Sequence, residues 1–541
     1  MLNMKTNKNA LISVFDKTNI LIIALELKKN NFTIFATENT YLYLIKNNIK
    51  AKKLSQYINF PEIMNGKVKT LHPKILGGIL YNYHLDHLDI KEHKIILFSI
   101  VIINFYPFNN KKLNLHTQSS QENVLNNIDI GGPALVRAAA KNYNNVVILT
   151  DYNDYHLIIK ILQNNDNKDN IFKCERRLMK IFAEKAFKYT CLYDYSIYEY
   201  FFSRINKKSF SDTILINVNK KNNLRYGENL HQQAALYAAN NYNTNTQSII
   251  GCSQIQGKQL SYNNILDADV ALECIKEFNF TTCVIVKHGN PCSVALRNSA
   301  LESYYSAYSN DPISSFGGVI ALNQKIDLIL AQYIIDNQFV EVIIAPDIDL
   351  KARELFNLKP NIRLLICGYD DNNNSSEHVD NQPSYHLKQI NNGLLIQSTD
   401  SIISNKDIAN WETVSYKKPS KEEIEDCVFA LKVSKFVKSN SIVYVQNQQT
   451  LAIGGGQTSR IDAVGIANYK LNKNNNVLHN KHLIMSSDAF FPFKDSVESA
   501  FLNGISCIIQ PGGSIRDQEV INTVNKYGMK MIFTHKRYFK H

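Results

Sequence analysis

The segment ALISVFDKTNILIIALELKKNNFTIF (residues 10–35) holds one unit of a pattern that recurs along the chain. Residues 10–14 form a short apolar run suited to a buried strand, and Asp16-Lys17-Thr18 makes a turn that can cap a helix. Residues 20–29 repeat apolar side chains with helical period, and residues 32–35 read as the next strand. A second helix is expected from about Thr40. Further on, the apolar stretch 95–103 is about half the length of a membrane span and reads as a buried strand. Residues 100–105 end it at Tyr106-Pro107. IDIGGPALVRAAAKN then gives a glycine turn and an Ala-rich helix, followed by a strand at 146–149 and a long aromatic-rich helix at 176–202. Strand and helix in alternation predict a parallel sheet with helices on both faces.

At LRYGENLHQQAALY (224–237) the register changes and a new unit opens. Two domains are therefore expected, 1–200 and 201–541, as the 541-residue length also suggests. The Asn-rich stretches 240–247, 370–376 and 472–476 have no period and read as exposed insertions. CVIVKHGNP (283–291) and CIIQPGGS (507–514) both set an apolar strand before a Gly/Pro turn, which suggests two similar subdomains; chance would explain it as well.

Composition narrows the classes. Hydrophobic residues are 45% and charged residues 20%, as in folded globular chains. The N-terminus lacks the apolar core of a secretory signal. Nine cysteines lie scattered with no C-x-x-C pair, so reduced thiols in the cytoplasm are expected rather than disulfides or a zinc knuckle. The net charge of +12 raises nucleic-acid binding as an option, but the lysines are spread along the chain without a basic-aromatic block.

Five segments carry chemistry. In NGKVKTLHPKILGG (65–78), Lys67, Lys69, Thr70 and His72 crowd together; an extended segment would point Lys67 and Lys69 the same way, toward a phosphate or simply into solvent. In NIDIGGPALVRAAAKN (127–142), Asp129 is expected at a strand-to-helix junction marked by glycines, and Lys141 ends that helix, where a dipole cap is the plain alternative. In VIVKHGNPC (284–292), a buried strand delivers Lys287 and His288; the imidazole can move protons and the ammonium can stabilise an anion. In FVKSNSIVY (436–444), Asn440 can bind an amide or formyl oxygen. The Gly454-Gly455-Gly456 turn lets backbone approach a ligand, but it lacks the dinucleotide fingerprint. Last is the tail Arg537-Tyr538-Phe539-Lys540-His541, which reads alone as a frayed end.

Taken in chain order, KVKTLHPKILGGIL, INFYPF, NIDIGGPALVRAAAKN, LRYGENLHQ, VIVKHGNPC, SSFGGVIAL, VEVIIAPD, KFVKSNSIVY, GGGQTSRID, SDAFFPF and QPGGSIRD resemble the bifunctional purine biosynthesis family. That family joins 5-aminoimidazole-4-carboxamide ribonucleotide (AICAR) transformylase to inosine monophosphate (IMP) cyclohydrolase. The resemblance implies a methylglyoxal-synthase-like, doubly wound N-terminal domain. It also implies a C-terminal domain of two cytidine-deaminase-like subdomains, and a homodimer without nucleic-acid or membrane partners. The co-substrate implied is 10-formyltetrahydrofolate. Zinc is not, since Pro291-Cys292 has no second Cys three residues on; a structural monovalent cation is compatible with the resemblance but not expected from it. For formyl transfer the implied catalytic residues are Lys287, His288 and Asn440. Arg225, Tyr226, Phe316, Gly317, Glu341, Arg460, Arg537, Phe539 and His541 would position nucleotide or folate, so the tail should be docked. For cyclisation they are Lys69, Tyr106, Asp129 and Lys141, with Ser13, Lys17, Thr37, Thr40, Lys67 and Thr70 on phosphate and ribose.

The chain departs from the family pattern at four places. Phe15 stands where the family reads Ser, Glu38 and Asn39 where it reads Gly-Gly, and Lys67 where Arg is common. Glu38 would set a carboxylate beside the phosphate and weaken its binding. The alternatives are thus a transformylase with a decayed cyclohydrolase site and, in another class, a non-catalytic basic nucleotide- or RNA-binding protein.

Overall fold

The computed structural model describes residues 8–64, 66–82, 84–108, 124–164, 175–205, 210–239, 248–368, 385–473 and 482–541. The chain separates into two compact units, Met1–Leu215 and Ile216–His541. The Asn-rich stretches 240–247 and 370–376 lie outside the described residues. So does 474–476, while 472 and 473 end a helix.

The first unit is built on a five-stranded sheet, all parallel, in the order β3-β2-β1-β4-β5. Its strands are β1 (Asn9–Val14), β2 (Thr33–Ala36), β3 (Lys52–Lys53), β4 (Ile100–Asn104) and β5 (Val147–Leu149). β4 reads IVIIN because both its faces are covered: Ile100, Val101 and Ile102 have no exposed surface. Residues 95–99 of the apolar stretch are coil rather than strand, with Phe98 buried and its N–H bonded to Gly78 O. Helices α1 (Ile20–Lys29), α2 (Glu38–Lys46), α3 (Gly131–Lys141) and α4 (Arg176–Ile205) contribute apolar faces to the same core. α2 starts at Glu38 with Thr37 as N-cap, two residues before the expected Thr40. The order of strands reverses between β1 and β4, so the loops leaving these two strands open a crevice at their carboxyl ends, the ligand position of doubly wound sheets.

The second unit carries a twelve-stranded mixed sheet built from two copies of one plan. In the first copy, β8 (Ser253–Gln256) and helix α5 (Tyr262–Ile275) precede the hairpin β9 (Thr282–Lys287) and β10 (Asn290–Leu296); β11 (Gly318–Leu322), β12 (Val340–Ala345) and β13 (Arg363–Ile366) follow. In the second, β16 (Glu412–Thr413) and helix α6 (Lys421–Ser434) precede β17 (Ile442–Gln446) and β18 (Gln449–Gly454). Helix α7 (Arg460–Lys473), β19 (Leu483–Ser487), β20 (Ile505–Gln510) and β21 (Lys530–Phe533) complete it. Each copy has an antiparallel hairpin, then three mutually parallel strands, the first of them antiparallel to the hairpin's opening strand. The copies join where β10 meets β18 at Ala295 and Gln449. Two exposed hairpins stand apart, β6 (Val218–Asn223) with β7 (Ala235–Ala239), and β14 (Tyr385–Ile390) with β15 (Gly393–Ser398). The subdomain repeat is present, but its register differs from the sequence echo. The partner of 283–291 is β17 with its turn, and the partner of 507–514 is β12. Chain order within each copy sets the correspondence, and Gly/Pro turns recur at several strand ends.

Candidate functional sites

The crevice of the first unit collects most of the residues expected there. Ser13 is the last residue but one of β1, and its Oγ lies 3.1 Å from Thr37 Oγ1 at the start of α2. Thr40 Oγ1 exchanges hydrogen bonds with Val14 N and O. The β1 loop is clamped to β4 by Asn104, whose Oδ1 accepts from Phe15 N (2.6 Å) and Asp16 N (2.9 Å). Phe15 then lays its ring 4.6 Å from that of Tyr106, and both are partly open to solvent. Lys17 Nζ reaches the carbonyls of Val14 and Phe15.

Residues 66–70 are not extended. Val68 N–H turns back to Ile63 O, so Lys67 and Lys69 do not share a strand face. Lys67 instead bonds Asn126 Oδ1 at 2.8 Å, while Thr70 is buried against Gly131, where a Cβ would stand 2.3 Å from its Oγ1. His72 caps the next helix, Pro73–Leu80, by accepting from Lys74 N. Asp129 accepts from Gly132 N at 2.8 Å and holds the N-terminus of α3; its own N–H goes to Tyr193 Oη. The residues preceding α3 are a short helical turn at 124–126 and not a strand. Lys141 is not brought to this cluster. It is the last residue of the 11-residue α3, about 15 Å of helix from Gly131. The Glu38 carboxylate is committed to Lys53 Nζ at 2.8 Å, so the charge expected against a phosphate is neutralised by a lysine that β3 supplies. The Glu38 N–H is taken by Glu62 Oε1.

In the second unit, β9 ends at Lys287, and His288 and Gly289 form the turn to β10 with φ of 55° and 69°. His288 is exposed; Lys287 Nζ donates to Phe316 O at 2.6 Å. Asn290 Oδ1 accepts from Lys438 N (2.9 Å), which brings segment 438–440 beside the turn. Asn440 is fixed on three sides: its N–H and Nδ2 bond Gln457 O, and its Oδ1 accepts from Arg460 Nη2 at 2.7 Å. Among the described residues, its second Nδ2 hydrogen finds no acceptor. Arg460 in turn pairs with Asp488 at 2.6 Å, both side chains nearly without solvent. Ser439 Oγ bonds the same carboxylate. The C-terminal tail docks here: Ser439 N–H donates to Lys540 O, Tyr538 N–H donates to Asp488 O, and Tyr538 is buried. Arg537 stacks on Phe539 with its guanidinium carbon 4.3 Å from the ring centre, and Phe539 faces His541; these three alternate outward from Tyr538 and Lys540. Arg225, Tyr226 and Glu341 line a cleft of about 770 Å³ with Lys258, Phe339 and Arg363. Gly317 N–H bonds Phe339 O, and Phe316 packs on Phe339 at 5.0 Å, next to the carbonyl that Lys287 holds.

Two glycines of the 454–456 turn serve packing. A Cβ on Gly454 would meet Ala463 O at 2.0 Å, and one on Gly455 would meet Val437 at 2.4 Å. Asp488, Gln457, Asn104 and Asn290 were not singled out from sequence. Asp488 sits inside the quoted SDAFFPF, which was the available signal. Among the described residues, no group of three or more His, Cys, Asp or Glu side chains is placed to hold a metal ion, and no helix is long and apolar enough to cross a membrane.

Residues 139–470 match the AICARFT/IMPCHase bienzyme family, and residues 19–134 match the MGS-like domain. Curated relatives include the bifunctional purine biosynthesis protein PurH of Buchnera aphidicola subsp. Schizaphis graminum, 48% identical over 99% of both chains. The PurH proteins of subsp. Baizongia pistaciae (48%, all of both chains) and subsp. Acyrthosiphon pisum strain Tuc7 (47%, 99% of both) are alike in extent. A solved chain titled "Crystal structure of ForH" is 29% identical over 36% of this chain and 99% of its own, with a TM-score of 0.33.

Proposed function

The chain belongs to the AICARFT/IMPCHase bienzyme family, and from that premise we propose how its residues divide the two reactions. It is a bifunctional AICAR transformylase and IMP cyclohydrolase. The formyl donor is 10-formyltetrahydrofolate. The AICAR amine is conjugated with its imidazole and is a weak nucleophile. His288 removes its proton as the nitrogen attacks the formyl carbon. The oxyanion of the tetrahedral intermediate is met by the spare Asn440 N–H and by Lys287, whose ammonium has two donors beyond the one on Phe316 O. The bond from the formyl carbon to the folate nitrogen then breaks, and that nitrogen takes up a proton. Arg225, Lys258 and Arg363 suit the substrate phosphate, with Tyr226, Phe316, Gly317 and Glu341 shaping the cleft. Arg537, Phe539 and His541 serve the nucleotide or folate from the tail side, whereas Arg460, expected among them, is buried on Asp488 and acts by holding Asn440. The observation that carries this half is the bond between Asn290 and Lys438, which joins the His288 turn to the Asn440 segment.

In the first unit the carboxamide nitrogen attacks the formyl carbon and water departs. Orientation is the main requirement. Ser13, Lys17, Thr37, Thr40, Lys67 and Thr70 hold phosphate and ribose, while Lys69, Tyr106 and Asp129 flank the closing ring. Lys141 stands outside this core and favours the α3 dipole from its C-terminal end. The two sheet repeats correspond to cytidine-deaminase-like subdomains. The protein works in the cytoplasm as a homodimer; scattered free thiols and the exposed apolar side chains Leu387, Leu394 and Leu395 on the β14–β15 hairpin support this. Separation of function tests the scheme. His288→Ala should lose at least about a hundredfold in formyl transfer yet cyclise added formyl-AICAR normally, and Asp129→Ala should do the reverse. Near-normal transfer by His288→Ala would remove the base from the mechanism.

A further inference from the structure

The His288-Gly289 turn is held by a side chain outside the residues assigned so far. A two-residue hairpin with positive φ at both central positions suits glycine, asparagine or aspartate, and a histidine there is uncommon and mildly strained. Asp267, on α5, opposes that strain. Its Oδ1 accepts from Gly289 N at 2.6 Å and its Oδ2 from His288 N at 3.2 Å. Burial raises the Asp267 pKa, the two N–H groups and the imidazole pull it down, and the Glu341 carboxylate raises it again. The carboxylate is thus placed where desolvation disfavours it, facing two amides that favour it.

The second repeat contains the same device. Asp426 on α6 accepts from Gln448 N (2.6 Å) and Asn447 N (2.8 Å), and both of those residues have positive φ. In each repeat the aspartate lies 21 and 22 residues before the amides it binds, on a helix opened by a serine capping box at Ser261 or Ser420. The turn that Asp426 holds carries none of the residues assigned to either reaction. The turn that Asp267 holds carries His288, and its next residue, Asn290, is the one bound to Lys438.

We propose that Asp267 is a positioning residue for formyl transfer, which fixes the His288 backbone so that the imidazole faces the position set by Asn440. Asp426 is its structural twin without that role. The proposal rests on His288 being the base. An aspartate bound to both amides leaves the turn one conformation. An asparagine carbonyl can hold only one amide well, and the freed turn then samples positions a fraction of an ångström to an ångström away, enough to cost on the order of a hundredfold in rate.

The test uses the full chain with four changes: Asp267→Asn, Asp267→Glu, Asp426→Asn and His288→Ala. For Asp267→Asn, kcat for formyl transfer should fall about tenfold to a hundredfold, with KM for AICAR within about twofold and cyclisation of formyl-AICAR unchanged. Asp267→Glu, which keeps both acceptors, should recover part of kcat. Asp426→Asn should lower the melting temperature about as much as Asp267→Asn does and leave kcat within about twofold. Wild-type kcat in Asp267→Asn beside an inactive His288→Ala overturns the positioning role alone. An equal kcat loss in Asp426→Asn also overturns it, because general loosening would then explain both. An active His288→Ala overturns the base assignment and this proposal with it.

Discussion

Removing the Arg460 guanidinium should weaken the second unit and its chemistry by separable amounts. Arg460 and Asp488 pair at 2.6 Å with side chains 5% and 0% exposed. Arg460→Met leaves the carboxylate buried with Ser439 Oγ and no cation, which costs about 3–5 kcal/mol. Unfolding entropy of ~2.1 cal/mol/K per residue over the roughly 330 residues of this unit gives ~0.7 kcal/mol/K. The melting temperature should therefore drop by about 4–7 °C. Adding Asp488→Leu removes the second charge, and most of the loss should return, because two apolar side chains of similar volume replace a desolvated pair. Formyl transfer should not return with it. Asn440 Oδ1 has lost its Arg460 donor in both variants, and a misplaced oxyanion donor costs about 10²–10³ in kcat. Calorimetry and transferase assays on the full-length single and double variants read the two effects. A double variant that melts as low as the single would show that the buried carboxylate is not the source of the loss, and one that regains transferase activity along with stability would show that Arg460 does not position Asn440.

The Glu38–Lys53 pair makes a different prediction from the sequence departure alone. Lys53→Met should raise KM for formyl-AICAR by roughly threefold at low salt with kcat retained, and adding Glu38→Gln should reverse it; steady-state cyclisation at two ionic strengths checks this, and an unchanged KM in Lys53→Met would show that the carboxylate does not sense the phosphate. Replacing Glu38 and Asn39 by glycine should accordingly improve affinity little. Acid stability should report on Glu423. Burial alone raises its pKa, but Lys530 at 2.6 Å, the Ser420 N–H and His482 reverse this and leave it below the ordinary 4.5. Its contribution is complete above that value and is lost as pH falls through the lower folded pKa. Melting temperature between about pH 6 and 3.5 should therefore fall less steeply in Glu423→Gln than in the wild type, and equal slopes would contradict this.

The α/β alternation of residues 9–36 was legible because strand and helix periods differ so clearly, and the 176–205 helix because its length admits no strand reading. The turn at His288 was found from its residues alone. What holds that turn was not, since a carboxylate bonding amides 21 positions away leaves no local pattern. The same limit hid the Lys53 partner of Glu38 and the Asp488 partner of Arg460, both set by strand pairing and packing. Lys67 and Lys69 were misread as one face because period-two reasoning presumes a strand, and Ile63 and Val68 close a turn there instead. Gly454 and Gly455 were read as making room for a ligand, whereas the backbone and side chains of their own repeat fill that room.

One chain performs both steps. Purified full-length protein given AICAR and 10-formyltetrahydrofolate, followed by chromatography of the nucleotides over time, tests it most directly. IMP is the expected end product, with formyl-AICAR only transient and tetrahydrofolate released in equal amount. Formyl-AICAR accumulating without IMP would contradict a working crevice at Ser13, Tyr106 and Asp129, and no turnover of AICAR would contradict the site at His288.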